Sequence, residues 1–270
     1  MLAKLKNYIV QKRREGASYF SIARLLFQKL FGIQPKIKQE HIRSVLFGFD
    51  LYDKPILVSY SRSGTNWIRY FVEATTGKPT PGQSRLVEGG DYYIDRAHAG
   101  FYRIDKYEKL VLILRNYKEC IIRHHGIESI RNNYKSVKDF LKDDSVSQPA
   151  NWYTKNIEAF DNFEKDKLLI YYEDLLTDPA TNFQKLGEFL GIDSHETSSF
   201  ITNIAEHKNK SIKAYTKGVH ISETQGDATK IDFHSRKLSQ SEVEEIDTFF
   251  KSHNRELFDN YLKRYESIDS

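Results

Sequence analysis

The amino-acid sequence predicts an α/β fold in which a parallel sheet is flanked by helices on both faces. Short apolar runs typical of buried strands occur at residues 55–60, 110–114 and 167–172. Each run is followed by a segment with helical periodicity. Because parallel strands need a long crossover, usually a helix, this alternation indicates strands that share one parallel sheet.

Each predicted strand leads into a predicted helix. The first strand is followed by a small polar stretch that contains Gly64, and then by a helical pattern over residues 67–74. The second helix begins over residues 118–124. The third covers residues 179–190 and ends at Gly191, a residue type that suits the left-handed backbone after a helix.

Two helical regions flank this core. Residues 1–45 are predicted to form a helical extension to a single α/β domain at residues 46–270, with apolar residues at helical spacing beside lysines and arginines. A packed accessory helix explains that pattern, and a helix that binds a membrane surface or a partner is the alternative. The pattern of residues 238–265 predicts a C-terminal helix with Ser239 as its N-cap.

Three polar segments are predicted to be loops, at residues 77–90, 132–150 and 209–236. Loops of this length within a domain are usually functional or disordered. We therefore expect them to shape any acceptor site.

The composition excludes several classes of protein. The 270 residues include 41 Lys and Arg against 37 Asp and Glu, a formal charge of only +4, which argues against a nucleic-acid partner. Cys120 is the only cysteine, which excludes an intrachain disulfide and a cysteine-based metal cluster. No apolar run is long enough for a membrane span and no signal peptide is evident, so we expect a cytoplasmic protein.

Ligands of open α/β sheets bind beyond the carboxyl ends of the strands, and three polar sets are predicted to lie there. The first, residues 61–67, joins the first strand to the first helix through Gly64. Backbone N–H groups of the turn, the positive end of the helix and the Arg62 side chain would together favour a phosphate. An ordinary tight turn has the same composition, and the spacing is not that of a Walker A loop.

The other two sets supply positive charge and a candidate base. Arg115 and Arg123 follow the second strand. An arginine at the end of a buried strand is costly unless it is paired or binds a ligand, so a salt bridge and an anion site are both open. His98 is a candidate general base, because histidine titrates near neutral pH.

The three sets together resemble the sulfotransferase family that uses 3′-phosphoadenosine 5′-phosphosulfate (PAPS). Residues 60–67 read Tyr-Ser-Arg-Ser-Gly-Thr-Asn-Trp, similar to the family's Tyr-Pro-Lys-Ser-Gly-Thr-Thr-Trp. Residues 115–119 read Arg-Asn-Tyr-Lys-Glu, similar to Arg-Asn-Pro-Lys-Asp. A third marker is Tyr-Glu-Asp-Leu at residues 172–175, followed by Asp-Pro at 178–179 and Phe-Leu-Gly at 189–191. The resemblance covers roughly half of the chain and implies a P-loop-like parallel sheet.

The resemblance also implies a role for each matching residue. The donor's 5′-phosphosulfate would be held by Arg62, Ser63, Gly64, Thr65 and Asn66. Trp67 would stack on the adenine, although a core aromatic at the start of a helix is the alternative. Arg115 would bind the 3′-phosphate, and Tyr172 would contact the nucleotide. His98 lies between the two phosphate motifs and matches the family's catalytic base.

The sequence departs from the family pattern at three places. Arg62 stands where the family has lysine; a guanidinium keeps the charge but rarely gives up a proton, so we expect an electrostatic clamp. Arg123 falls where the family has a serine that helps to bind the 3′-phosphate, so either a charge replaces the hydroxyl or the register differs by a residue or two. The family's C-terminal Arg-Lys-Gly element is not intact: Lys217 and Gly218 are its nearest remnant, with Arg-Lys at 236–237 as a rival.

The resulting prediction is an enzyme that moves a sulfuryl group from PAPS to a hydroxyl, or with less support an amine, of a small-molecule or carbohydrate acceptor. The other product is adenosine 3′,5′-bisphosphate (PAP), and no metal is expected. The aromatic residues Tyr92, Tyr93, Phe101 and Tyr102 near His98 suit such an acceptor, and core packing explains them equally well. The alternatives are a P-loop-like kinase and a non-catalytic nucleotide- or anion-binding module.

Overall fold

The structure is a computed structural model that describes residues 53–82, 86–88, 91–132, 134–146, 148–216 and 238–266. Some sequence predictions lie outside these residues. They are the helical extension at residues 1–45, the remnant at Lys217 and Gly218, and its rival at 236–237. These remain predictions, as does the division into an extension and one domain.

The described residues form a sheet of four parallel strands: β1 (Ile56–Ser59), β2 (Asp95–Ala97), β3 (Lys109–Leu114) and β4 (Asp166–Tyr171). The strand order is β2-β1-β3-β4, and each neighbouring pair is parallel. Strands β1, β3 and β4 are the three apolar runs of the sequence, so the predicted parallel α/β fold is confirmed. Strand β2 was not predicted, because its three residues, Asp-Arg-Ala, form no apolar run.

Nine helices cover the sheet or follow it in the described part of the chain: α1 (Thr65–Thr76), α2 (Tyr117–Asn132), α3 (Val137–Lys142), α4 (Asn151–Asp161), α5 (Tyr172–Thr177), α6 (Pro179–Leu190), α7 (Ser194–Thr202), α8 (Ile204–Thr216) and α9 (Gln240–His253). The predicted helices correspond to α1, α2, α6 and α9. Two loop predictions were partly wrong: residues 132–150 contain α3, and residues 209–216 belong to α8. Helix α3 has only six residues, and α8 is rich in polar residues.

The C-terminal helix begins where the sequence predicts and ends earlier. Ser239 and Glu242 form a capping box: the Ser239 hydroxyl accepts from the Glu242 amide at 3.3 Å, and the Glu242 carboxylate accepts from the Ser239 amide at 3.0 Å. The helix stops at His253, because Asn254 adopts an extended backbone and caps a new turn through its side chain. Short helical turns then continue to Tyr265.

Helix α1 packs against the sheet within the hydrophobic core. Its N-cap Gly64 has a φ of 90° and its C-cap Gly77 a φ of 63°. Both residues have the left-handed backbone conformation, which glycine adopts more readily than residues with a side chain. The core on this side joins apolar side chains of the strands and of α1, α6 and α7: Leu57, Val111, Ile113, Ile170, Ile68, Phe71, Phe183, Leu186 and Phe200. This packing fixes the N-terminus of α1 at the carboxyl edge of the sheet.

Candidate active site

Each of the four strands ends directly before a predicted site residue. The loop at residues 60–64 follows β1, His98 follows β2, Arg115 follows β3, and Tyr172 follows β4. Because the strands are parallel, their carboxyl ends share one edge of the sheet. The fold therefore brings together residues that are spread over more than a hundred positions of the sequence.

The loop between β1 and α1 has the backbone shape of an anion cradle. Arg62 has a φ of 68° and Gly64 a φ of 90°, so two left-handed residues alternate with Ser63. Such alternation turns successive N–H groups toward one side of the chain. Thr65 and Asn66 open α1, where the first-turn amides have no acceptor within the helix and the dipole is positive. These features together favour the binding of a phosphate or sulfate group.

The hydroxyl groups of Ser63 and Thr65 face the protein. Ser63 is fully buried with its Oγ 3.6 Å from the sulfur of Cys120, and Thr65 Oγ1 lies 2.6 Å from Ser59 Oγ. Burial raises the pKa of the Cys120 thiol to about 12, so this thiol stays protonated and packs as a neutral group. The Ser63 and Thr65 hydroxyls thus support the shape of the loop from within the protein, and contact between them and an anion stays a prediction.

Asn66 is exposed and is oriented by a buried arginine that the sequence reasoning missed. Arg69 donates to the Asn66 side-chain oxygen at 3.1 Å and to Thr80 Oγ1 at 2.9 Å, and its Nη2 lies 3.7 Å from Glu73. Glu73 also accepts from the backbone amides of Thr80 and Val87, at 3.1 and 3.2 Å. The signal in the sequence was a charged pair four residues apart inside an apolar helix.

Tyr172 packs directly on the loop. A side chain at Gly64 would overlap the Tyr172 ring, so only glycine permits this approach. The same ring lies 4.4 Å from the guanidinium carbon of Arg115, a cation–π contact. Tyr172 therefore touches both predicted anion sites.

Arg115 lies beside the loop, and its guanidinium contacts the Tyr172 ring, the backbone oxygen of Arg62 and the carboxylate of Glu119. Its Nη1 donates to the backbone oxygen of Arg62 at 3.3 Å, and its Nη2 is bonded to the carboxylate of Glu119. Arg123 also pairs with Glu119, at 2.9 Å. The Nε of Arg115 is buried and has no hydrogen-bond partner among the described residues. The arginines are therefore salt-bridged through Glu119, and anion binding by Arg115 and Arg123 stays a prediction.

The Glu173 side chain stabilises the backbone that follows β3. Its carboxylate accepts from the backbone amide of Asn116 at 2.9 Å and from the hydroxyl of Tyr265 at 2.6 Å. The next residue, Asp174, accepts from Arg264 at 3.1 and 2.6 Å. The Tyr-Glu-Asp marker thus ties the C-terminal segment to the turn that carries Arg115.

The His98 side chain contacts Ser59, the last residue of β1 before the loop. Its Nδ1 lies 2.8 Å from the backbone oxygen of Ser59, which can only accept, so Nδ1 carries the hydrogen and the lone pair of the neutral ring is on Nε2. Burial, and then the positive charge of Arg96, lower the pKa of His98 to about 4. The imidazole is therefore neutral at pH 7 and able to accept a proton.

A single side chain braces the backbone around His98. Asn156 on α4 donates to the His98 carbonyl at 2.7 Å and accepts from the Gly100 amide at 3.0 Å. These bonds close the turn that follows β2, so the position of the ring is set by the sheet on one side and by α4 on the other.

Comparison with known families decides the class of the protein. A family described as "Sulfotransferase domain" matches residues 97–265 of the chain. The chain belongs to the sulfotransferase family. The match includes His98, Arg115 and Tyr172, while the loop at residues 60–67 precedes it and is joined to these residues by the contacts described above. The sequence prediction of a sulfotransferase enzyme is confirmed.

Solved structures with the same fold include two that contain PAP. Mouse sulfotransferase SULT7A1 complexed with PAP is 22% identical, with a TM-score of 0.54 over 83% of this chain and 90% of that one. Retinol dehydratase in complex with androsterone and inactive cofactor PAP is 13% identical, with a TM-score of 0.50 over 80% of this chain and 83% of that one. No curated protein matches the chain.

Trp67 of this sulfotransferase lies in the core. It is only 7% exposed, and its ring packs on Tyr70, Phe183 and Phe200 at centroid distances of 5.9, 5.1 and 5.6 Å. Its indole N–H is buried without a hydrogen-bond partner among the described residues. These contacts favour core packing, the alternative weighed for this residue, and adenine stacking stays a prediction.

Aromatic side chains border the turn after His98. The ring centroids of Phe101 and Tyr102 lie 4.1 Å apart, and those of Trp152 and Phe101 lie 5.9 Å apart. Tyr102 is 67% exposed. Trp152 precedes Asn156 by one helical turn of α4, so the two share a helix face. Tyr93 instead donates to the backbone oxygen of Leu190 at 3.0 Å.

Two further searches concern other functions of the described residues. They contain no group of His, Cys, Asp and Glu side chains arranged to hold a metal ion. None of their helices combines the length and the apolarity that crossing a membrane requires.

Proposed function

We propose that this sulfotransferase moves a sulfuryl group from PAPS to a hydroxyl of a small-molecule or carbohydrate acceptor, with His98 as the general base. The observation that carries the proposal is the hydrogen bond from His98 Nδ1 to the carbonyl of Ser59. It holds a neutral imidazole next to the anion cradle at residues 60–66 and leaves Nε2 to accept a proton.

The charges of the site fit the donor. PAPS carries two anionic groups, a 5′-phosphosulfate and a 3′-phosphate, and the site has two positive regions. Arg62 and the N-terminus of α1 suit the 5′ end, and Arg115 with Arg123 suits the 3′-phosphate. The buried Nε of Arg115, which lacks a partner among the described residues, supports this assignment. The two solved structures described with PAP also support it.

The residues of the chain would act by positioning and by stabilising charge. The donor supplies the sulfuryl group, which leaves the 5′-phosphate oxygen and bonds to the acceptor oxygen. His98 Nε2 takes the proton of the acceptor hydroxyl. Arg62 and the amides of the loop stabilise the negative charge that grows on the leaving phosphate. Because a guanidinium rarely gives up its proton, Arg62 acts as a clamp and not as an acid.

The aromatic side chains beside His98 support an acceptor with a ring. Tyr102 is exposed, Phe101 and Trp152 are partly exposed, and Trp152 lies one helical turn before Asn156 on α4. Aromatic faces bind the apolar face of a sugar or of a hydrophobic alcohol. Retinol dehydratase in complex with androsterone is a small-molecule precedent in this fold.

The test is turnover with labelled donor. Wild-type chain and His98→Ala are incubated with [35S]PAPS and a panel of sugars, alcohols, phenols and amines, and PAP affinity is measured by thermal shift. We expect the variant to lose about 10²–10⁴-fold in kcat, because general base catalysis contributes that much, and to keep its PAP affinity within about threefold. His195→Ala is the matched control, because that histidine side chain is 89% exposed on α7.

Three outcomes would contradict the proposal. Equal loss of turnover and PAP affinity in His98→Ala would mean that His98 is structural. Greater thermal stabilisation of the wild type by ATP with magnesium than by PAP would favour the kinase alternative, and PAP binding without turnover on any acceptor would favour a binding module.

A further inference from the structure

Glu119 occupies both arginines of the predicted 3′-phosphate site. Its carboxylate is bonded to Arg115, and the same oxygen lies 2.9 Å from Nη2 of Arg123. Glu119 and Arg123 are spaced four apart on α2, so they lie on one face of that helix, and Arg115 lies two residues before its start. An acidic group thus occupies the positions that a phosphate would take.

The position of Arg115 does not depend on Glu119 alone. Its Nη1 donates to the Arg62 carbonyl at 3.3 Å, and its guanidinium lies 4.4 Å above the Tyr172 ring. The Arg115 side chain is only 12% exposed, whereas that of Glu119 is 37% exposed. The acid therefore has room to turn toward solvent while Arg115 stays in place.

We propose that Glu119 is a built-in competitor for the 3′-phosphate, which weakens the binding of PAP and speeds its release. The inference rests on the proposed function, since it assumes that Arg115 binds this phosphate. Two arginines alone would carry a charge of about +2 against a phosphate of about −2. With Glu119 present the site is only singly positive, and its carboxylate repels the phosphate that enters.

Glu119→Gln separates charge from geometry. Glutamine keeps an oxygen that accepts from both arginines, and it removes the negative charge. Neighbouring charges at this range shift binding equilibria by about tenfold or more. We therefore expect PAP to bind about tenfold more tightly to the variant in isothermal titration calorimetry. AMP, which has no 3′-phosphate, should bind within about twofold of its wild-type affinity.

Glu108→Gln is the matched control. It also removes one negative charge, but Glu108 pairs with Lys165 just before the amino end of β3, at the opposite edge of the sheet. Equal tightening in both variants would reveal a net-charge effect and overturn the inference. So would an unchanged or weaker affinity of Glu119→Gln for PAP, or equal tightening of AMP. Failure of the wild type to bind PAP would instead overturn the proposed function, and this inference with it.

Discussion

At His98, one hydrogen bond and one buried environment fix both the tautomer and the charge. The bond to Ser59 requires the hydrogen on Nδ1, and burial with the nearby Arg96 lowers the pKa to about 4. An exposed histidine, with a pKa of about 6.5, would be half protonated in weak acid. His98 instead keeps its proton-accepting form through the whole neutral range.

The pH dependence of activity follows from this shift. The pKa is lowered, so the inactive protonated form appears only as the pH falls toward 4. We expect the acid limb of kcat/KM to have its midpoint near pH 4, because kcat/KM reports the free enzyme. The measurement is kcat/KM from pH 4 to 8, corrected for the PAP affinity at each pH because the 3′-phosphate itself titrates near pH 6.

Arg96→Gln tests the cause of the shift. Because the charge of Arg96 contributes less than burial, the variant should move the acid limb upward without reaching pH 6.5. An acid limb near pH 6.5 in the wild-type enzyme would contradict this account of His98.

At the scale of the element, the unit formed by β1, the loop and α1 depends on two glycines with different surroundings. Gly64 and Gly77 cap the two ends of α1, both with positive φ. A methyl group at Gly77 would meet no atom within 4 Å, whereas one at Gly64 would overlap Tyr172. The pair therefore separates backbone strain from the close approach at the cradle.

We expect Gly64→Ala to damage both stability and donor binding. The left-handed backbone costs alanine about 1–2 kcal/mol in either variant, and overpacking adds about 1–3 kcal/mol in Gly64→Ala alone. Displacing Tyr172 should also weaken PAP binding by at least about tenfold, because Tyr172 touches Arg115. Urea unfolding and PAP titration measure the two effects. Equal destabilisation and unchanged PAP affinity in Gly64→Ala and Gly77→Ala would show that the contact does not matter.

Element prediction succeeded where local pattern determines structure. Strands β1, β3 and β4 lie within the sheet and are apolar, so their sequence alone marks them. Strand β2 directly precedes His98 and was not predicted, because its Asp-Arg-Ala sequence forms no apolar run and its buried Asp95 is paired in part by residues beyond the strand. Arg103 lies 3.0 Å from its carboxylate and Tyr107 donates to it. Tertiary pairing of this kind leaves no periodic signal.

At the scale of the molecule, the site is a product of topology. The order β2-β1-β3-β4 places four strand ends side by side, and each leads into one predicted part of the site: His98, the loop, Arg115 and Tyr172. The sequence motifs predicted which residues would meet, and the structure adds how they are held. Asn156 was missed because its contacts join segments distant in sequence. Glu119 and Arg69 were missed although each has a charged partner four residues away.

The most direct test of the account is a crystal structure of the chain with PAP. We predict the 5′-phosphate within about 2.7–3.2 Å of backbone nitrogens in residues 63–66, the 3′-phosphate on Arg115, and His98 Nε2 facing the 5′ end. A nucleotide bound away from this sheet edge, or one with its two phosphates exchanged, would contradict it.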